Sequence, residues 1–454
     1  MNKITKTTNG HLSLFALCLG FFMVIMDATI VNVSLPTLVQ HFHSTLGGLQ
    51  WVLDSYTLMF AGLLLSAGHL ADHFGAKRAF LTGLLIFTLA SLGCGLAPSL
   101  SWLIIFRFIQ GAGAALVLPT SLALINGSYN DPQERAKAVG MWGGMGAIAG
   151  ICGPVLGGVL TAAIDWRAIF LVNVPIGILG IWLTWKYVAK VLAKHSKGSF
   201  DLPGQLLSII SMGSLAFSFI EGGETSFYSE RVIISFMIFL ISFILFLIRE
   251  LKTSAPMLPL ALFKSNTFSI GVLVGMVLSF SFYGELFIFP LYFEQIRGYS
   301  VMTTALALAP LFIFSPVVSY MAGKMMHRIG AKQLVITGLM MGAFVFFSLI
   351  TLQTHSPSYL FIGIIFAIFS IAGPIIMVSC TMLIIRSAPP ERSGIASAAF
   401  NASRQFGTLM GVAVCGAILN GAHSFISGMH ITLILAGSFY LVAAIITILG
   451  VRIK

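Results

Sequence analysis

The chain has 454 residues, 57% of them hydrophobic and only 9% charged, with a formal net charge of +11 and a mean hydropathy of +0.98. So little polar surface excludes a soluble globular domain, and several apolar stretches exceed the ~20 residues that cross a hydrocarbon core. The first apolar run is too long for a signal-peptide core and lacks a small-residue cleavage site, so the chain reads as a polytopic membrane protein with no cleaved leader.

Fourteen spans follow in chain order: 12–34, 46–67, 79–97, 101–123, 137–161, 167–187, 202–221, 231–249, 268–291, 302–322, 333–352, 358–385, 394–420 and 430–451. Short connections make neighbouring spans antiparallel. With the N-terminus inside, 20 of the 25 Lys and Arg residues fall on inner segments and three (Arg167, Arg231, Arg297) on outer ones. This positive-inside bias places both termini in the cytoplasm and the protein in the cytoplasmic membrane, and it accounts for the basic charge without nucleic acid. All five cysteines lie in apolar spans, without CxxC spacing or clustered histidines. They read as packing residues rather than disulfides or metal ligands.

Span 1 carries Asp27 in MDATIVNVSLPTL, and span 2 carries Asp54 in WVLDSYTL. The loop GHLADHFGAKR, Gly68 to Arg78, follows. Gly68 and Gly75 allow a tight turn, Asp72 can meet a helix N-terminus or a basic partner, and Lys77 and Arg78 can bind carboxylates or anionic headgroups. Span 4 carries Arg107 in RFIQGAGAALVLP. Span 5 carries GICGPVLGGVL, in which Gly150, Gly153, Gly157 and Gly158 permit close helix packing and Pro154 invites a bend. In span 9, seven of the fourteen residues from Phe280 to Phe293 are aromatic, and Phe282, Glu285, Phe289 and Tyr292 share one helical face. A carboxylate among rings suits a lipophilic cation. Aromatic packing is the plainer explanation of the same pattern. Span 13 carries Arg404 and Gly407-TLM-Gly411.

The sequence repeats itself. Gly68-HLADHF-Gly75-Ala76-Lys77 matches Gly323-KMMHRI-Gly330-Ala331-Lys332 at an offset of 255, and Pro132-Gln-Glu134-Arg135 matches Pro389-Pro-Glu391-Arg392 at 257. Two six-span halves, 1–190 and 261–454, therefore flank a segment 191–260 that holds a linker and an inserted two-span hairpin. Together these motifs and the fourteen spans resemble the drug:proton antiporter branch of the major facilitator superfamily over the whole chain, most strongly over residues 20–180. Two departures stand out. Ala76 replaces a usual basic residue, and His327 stands where the second copy would have the counterpart of Asp72.

The resemblance implies an all-α major facilitator fold and export of small amphipathic drugs or antibiotics, with lipophilic cations expected. It assigns proton coupling to the span-1 acid and the span-4 Arg, puts the span-5 motif between the bundles, and makes the Gly68–Arg78 loop a latch for the outward-open state. Protons are the coupling ion, no other cofactor is needed, and a monomer is expected. A symporter, or an exporter of a neutral or anionic metabolite, is the alternative, because Arg107 and Arg404 nearly balance the buried acids. No GxxxxGK[ST] or HExxH occurs, and Gly144-M-Gly146-AI-Ala149 lacks the strand a dinucleotide site requires, so no enzyme or ATP-driven pump is indicated. A channel fits poorly with a repeated two-bundle plan and acids on several spans.

A charge at a helix centre costs roughly 2.5–3.5 kcal/mol on insertion scales, so those that persist face the bundle or a wet cavity. Asp27, Asp54, Arg107 and Glu285 all lie roughly 9–12 Å from the outer ends of their spans at 1.5 Å per residue. If they meet, two carboxylates beside one guanidinium cannot both be cheaply ionised, and the pair would exchange a proton near neutral pH; a static ion pair tying spans 1, 2 and 4 together is the alternative. Asp27→Asn keeps the shape and removes the titration. It is expected to assemble and to lose pH-driven transport in proteoliposomes; unchanged antiport would refute the assignment.

Overall fold

A computed structural model describes residues 10–129, 131–189, 201–253, 256–352, 358–389 and 393–451, apart from the side chains at 65, 68, 69, 71, 72, 327 and 393. Most of the basic linker Lys186–Ser199, and Glu391 and Arg392 of the repeat, lie outside the described residues, as does the side chain of Asp72. The described residues are helical and contain no strand. Spans 1 to 5 are Gly10–Phe42, Leu46–Phe74, Ala76–Gly95, Leu100–Ser128 and Pro132–Ala163. Span 6 is Ala168–Tyr187. Spans 7 and 8, the hairpin, are Leu202–Glu224 and Glu230–Lys252. Span 9 is Asn266–Ile296, and span 10 runs Val301–Leu308 and resumes as Ser315–Ile329. Spans 11 to 14 are Ala331–Leu349, Tyr359–Ser387, Ser393–Gly421 and Phe425–Gly450.

Most apolar stretches have thus become one helix, often longer than the hydrophobic part, while spans 6 and 10 are broken. Span 1 has 33 residues, about 50 Å, against a hydrocarbon core of about 30 Å. Hydropathy marks the part in lipid, whereas capping sets the ends. Thr45 accepts from the Gly48 amide at 3.3 Å and Asp131 from that of Gln133 at 3.1 Å, with Pro132 in the first turn. Proline shapes two spans further. Span 10 breaks into a 3₁₀ turn at Ala309–Leu311, where Pro310 cannot donate. Span 9 widens into a π-turn at Tyr292–Ile296, just after Pro290.

The sequence repeat is also a packing repeat. In the first half, span 1 packs on 5 and 6, span 4 on 2 and 3, and span 3 on 6; in the second, span 9 packs on 13 and 14, span 12 on 10 and 11, and span 11 on 14. The matching loops do the same work. Gly75 and Gly330 both have φ +89°, a conformation costly for any residue with a Cβ. The lysine two residues on then caps the last helix of its own half. Lys77 Nζ donates to the Trp185 and Val188 carbonyls at 2.9 and 2.6 Å, and Lys332 Nζ to those of Ile448 and Val451 at 2.9 and 2.8 Å. A cation at a helix C-terminus satisfies orphan carbonyls and the helix dipole. These bonds give Lys77 two backbone carbonyl partners at the end of span 6.

The halves meet where span 2 packs on span 13 and span 5 on span 10. Gln50 Nε2 donates to the Val412 and Ala413 carbonyls, both at 2.9 Å. A Cβ on Gly158 would lie 2.3 Å from that of Ala305. Toward the basic loops, a Cβ on Gly140, Gly143 or Gly144 of span 5 would meet none of the described residues within 4 Å. Among the described residues, these closest contacts between the halves, at Gln50 and Gly158, lie on the side away from the basic face. The hairpin covers one flank through span 7. Gln205 bonds to the Gly62 carbonyl and to Ser66, Glu224 accepts from the Gly47 amide at 2.9 Å, and Asn420 of span 13 donates to the Gly223 carbonyl at 3.0 Å.

Close approach within the second half rests on two glycines. A Cβ on Gly407 would lie 2.3 Å from the Met276 carbonyl oxygen, and one on Gly411 2.2 Å from that of Phe280. Gly411→Ala is expected to push spans 9 and 13 apart and destabilise the half by about 1–3 kcal/mol, whereas Gly140→Ala, with open space around it, is expected to be neutral or stabilising by up to about 1 kcal/mol. Thermal unfolding of the two purified variants, followed by monodisperse size-exclusion recovery, separates them; equal stability would contradict the packing described.

Candidate functional site

Asp27 is fully buried on span 1 and has three donors. Arg107 Nη1 lies 2.5 Å from Oδ2, while Gln110 Nε2 and Asn173 Nδ2 each donate to Oδ1 at 2.8 Å. Arg107 in turn donates from Nε to the Val52 carbonyl at 3.0 Å and from Nη1 to Gln110 Oε1 at 2.7 Å, and it stacks 4.2 Å above the Tyr56 ring. Gln110 also donates to Ser91 at 2.9 Å. One network thus ties spans 1, 2, 3, 4 and 6 together, with its charges balanced inside the membrane.

Asp54 takes no part in that network. It is 0% exposed, and neither carboxyl oxygen has a hydrogen-bond partner among the described residues. It stands one turn from Gln50, which bonds span 13, and one turn from Leu58, which packs with Ala216, Ile220, Leu409 and Ala413. Residues four apart share a helix face, so Asp54 faces the sealed seam between span 2 and spans 7 and 13.

Glu285 lies elsewhere again. It sits within three residues of the repeat counterpart of Asp27, but on span 9 its surroundings are aromatic. Phe282, Phe289, Phe346, Phe366 and Phe369 line its pocket; the Thr432 hydroxyl stands near it but donates to the Met429 carbonyl of its own helix, and neither carboxyl oxygen of Glu285 accepts a hydrogen bond among the described residues. Spans 9, 11 and 12 thus place rings where spans 1, 3 and 4 place Asp27's polar surroundings. The pocket holds about 10 Å³, the room of one water molecule.

A second cavity lies between the halves. Spans 1, 2 and 4 on one side and spans 9 and 13 on the other enclose about 70 Å³, with Asn32, Tyr56, Thr57, Arg107, Tyr283 and Arg404 among its walls. Of the residues that the sequence offered for substrate, Arg404 lines this cavity. Phe282, Glu285 and Phe289 do share a face, but that face points into the second half, and Tyr292 is buried beside Phe293. Span 9 presents Tyr283 to the cavity instead, one position and about 100° around the helix. In span 5, Gly153 and Gly157 press on Thr29 and Ile30 of span 1, while Gly150 and Gly158 face Phe312 and Ala305 of span 10; Pro154 is buried within the helix. Among the described residues, no group of three His, Cys, Asp or Glu side chains could hold a metal.

Sequence reasoning passed over Gln110, Asn173 and Ser91. Gln110 had a signal, since it stands three residues after Arg107 on the same face. Asn173 is a lone amide in an apolar run, the first helical residue after the break at Val172. The geometry also adds a cost to Asp27→Asn, which strands the buried Arg107 charge. Removing one partner of such a pair destabilises by about 3–5 kcal/mol. Arg107→Ala is therefore expected to unfold well below the wild type, and Asp27→Asn combined with Arg107→Gln to recover most of the loss without recovering transport. Thermal melts and proteoliposome assays on the three proteins check this.

With the geometry in place, likeness to known proteins gives it a lineage. The profile described as Major Facilitator Superfamily matches residues 17–412. The chain is 33% identical over 430 residues to a methylenomycin A resistance protein of Streptomyces coelicolor, covering 95% of this chain and 90% of that one. It is 36% identical over 408 residues to the multidrug resistance protein Stp of Mycobacterium tuberculosis, covering 90% and 75%. Among solved structures, the peptide transporter POT superposes with a TM-score of 0.72 at 14% identity, over 98% of this chain and 95% of that one. The chain belongs to the major facilitator superfamily and is a multi-pass membrane transporter, not an enzyme.

Proposed function

We propose that the chain is a proton-coupled antiporter that exports small amphipathic compounds, drugs or antibiotics among them, across the cytoplasmic membrane. The basic face and both termini lie in the cytoplasm. Relatives named for antibiotic and multidrug resistance favour export over uptake. One chain supplies both walls of the central cavity, and the working unit is a monomer.

The observation that carries the coupling is Asp54, buried without a partner in the sealed seam. An ionised carboxylate cannot be enclosed there without compensation, whereas a protonated one can. Closing the outer seam and holding a proton on Asp54 are therefore linked events. When the halves rock, span 2 parts from span 13 and Asp54 takes up a proton from outside; once the seam has closed, that proton leaves to the cytoplasm by way of the central cavity, which the neighbouring Leu53 and Thr57 line, as substrate enters the cavity from the same side. Glu285, in a pocket with room for a water but not for a drug, serves as a second proton carrier. The Asp27–Arg107 network holds the first half rigid and supplies part of the cavity wall, so loss of either residue impairs transport.

The test is transport in proteoliposomes with an imposed pH gradient, screened against cationic, neutral and anionic antibiotics and dyes, with and without an uncoupler. Asp54→Asn is expected to lower gradient-driven accumulation at least about ten-fold while sparing substrate counterflow at equal pH. Accumulation that survives the uncoupler, or gradient-driven transport unchanged in Asp54→Asn, would overturn the proposal.

A further inference from the structure

The walls of the central cavity carry an unbalanced positive charge. Arg107 is matched by Asp27. Arg404, facing it from span 13, is not matched: among the described residues no carboxylate lies within ion-pairing reach of it. Its Nε has no partner, and Nη1 makes a 3.4 Å bond to Asn401 Oδ1 on its own helix. No Asp or Glu stands among the described residues that line the cavity. Glu285, the acid expected to attract a cation, faces a different pocket inside the second half.

A guanidinium held in the membrane without a counter-ion is costly unless something supplies the charge. Arg also presents a planar fork that matches a carboxylate in two parallel hydrogen bonds. Around Arg404 the cavity adds the Tyr283 ring and the hydroxyl of Thr408, and beyond them it is apolar, with Phe60, Leu64 and Leu118. We infer that the transported compound is an amphipathic organic acid whose carboxylate pairs with Arg404 while its apolar body lies against Phe60 and Leu64. This deepens the antiporter reading and rests on it, because the cavity is taken as the transport site. It also alters the electrical character of the exchange: a monoanion leaving as a proton enters moves two charges in the same electrical direction, so an inside-negative potential assists export.

The experiment uses the full chain, purified and reconstituted, with three aromatic probes: naphthylacetate, its methyl ester, which keeps the same apolar body, and the bulkier cation tetraphenylphosphonium. Binding is read by tryptophan fluorescence and transport by accumulation under a pH gradient. Naphthylacetate is expected to bind at least about ten-fold more tightly than its ester. Arg404→Gln should abolish that preference while leaving the ester's affinity and the melting temperature unchanged, and Arg404→Lys should keep part of it. Equal binding of acid and ester, tighter binding of the cation, no binding of the acid, or an acid preference intact in Arg404→Gln would each overturn the inference. If tetraphenylphosphonium is driven by the pH gradient and naphthylacetate is not, the antiporter reading stands and the anion site falls. If no probe in either this set or the wider screen responds to the gradient, the antiporter reading itself fails.

Discussion

A charge in the hydrocarbon core must be balanced, enclosed with partners, or given up to a proton, and the protein does each of these at a different place. Asp27 and Arg107 balance each other and are enclosed by Gln110, Asn173 and the Tyr56 ring. That arrangement makes five helices of the first half a single body. The second half keeps an acid near the same repeat position but replaces the polar surroundings with phenylalanine. It is held together by glycine contacts between spans 9 and 13 and by ring packing, so its carboxyl group is left without a partner. Two halves built on one plan have in this way divided the labour, one anchored by a balanced pair and the other carrying an acid free of its own half's basic groups.

The outer seam links this chemistry to movement. Gln50 bonded to the backbone of span 13 and Gly158 pressed on Ala305 close one side, and Asp54 lies within that closed side. Span 7 is bonded to span 2 near both of its ends, through Gln205 and Glu224, and reaches span 13 at Asn420. The hairpin therefore lies across the seam, bonded to span 2 and packed on span 13. Lys77 and Lys332, each capping the last helix of its own half, keep the two six-helix units coherent through that motion.

Much of this was legible in the sequence. A run of apolar residues long enough to cross the membrane has no soluble alternative, so the fourteen spans and their alternation could be read directly. The Gly-Ala-Lys pair showed the repeat because a positive-φ glycine and a capping lysine tolerate few substitutes. The common depth of Asp27 and Arg107 suggested their meeting, since an unmatched charge in lipid is costly. Other features left weaker traces. Gln110, Asn173 and Ser91 carry no charge and scarcely alter the hydropathy of their helices. The periodicity of span 9 grouped Phe282, Glu285 and Phe289 on one face, but no local pattern says whether a face turns toward the partner half or into its own. That choice depends on the Gly407 and Gly411 contacts with span 13, which are tertiary. Asp54 shares the depth of Asp27 and yet faces away from it, for the same reason.

The central claim is that the protonation state of buried, unpartnered carboxyls sets which side of the seam is open. The most direct measurement is the distance across each side as pH changes, from spin labels placed in reconstituted protein at His43 and His423 on the closed side and at Gln133 and Arg328 on the basic side. The account predicts that raising pH lengthens the first distance and shortens the second, and that Asp54→Asn combined with Glu285→Gln holds both at their low-pH values. Distances indifferent to pH, or a pH response that persists when both carboxyls are neutralised, would contradict it.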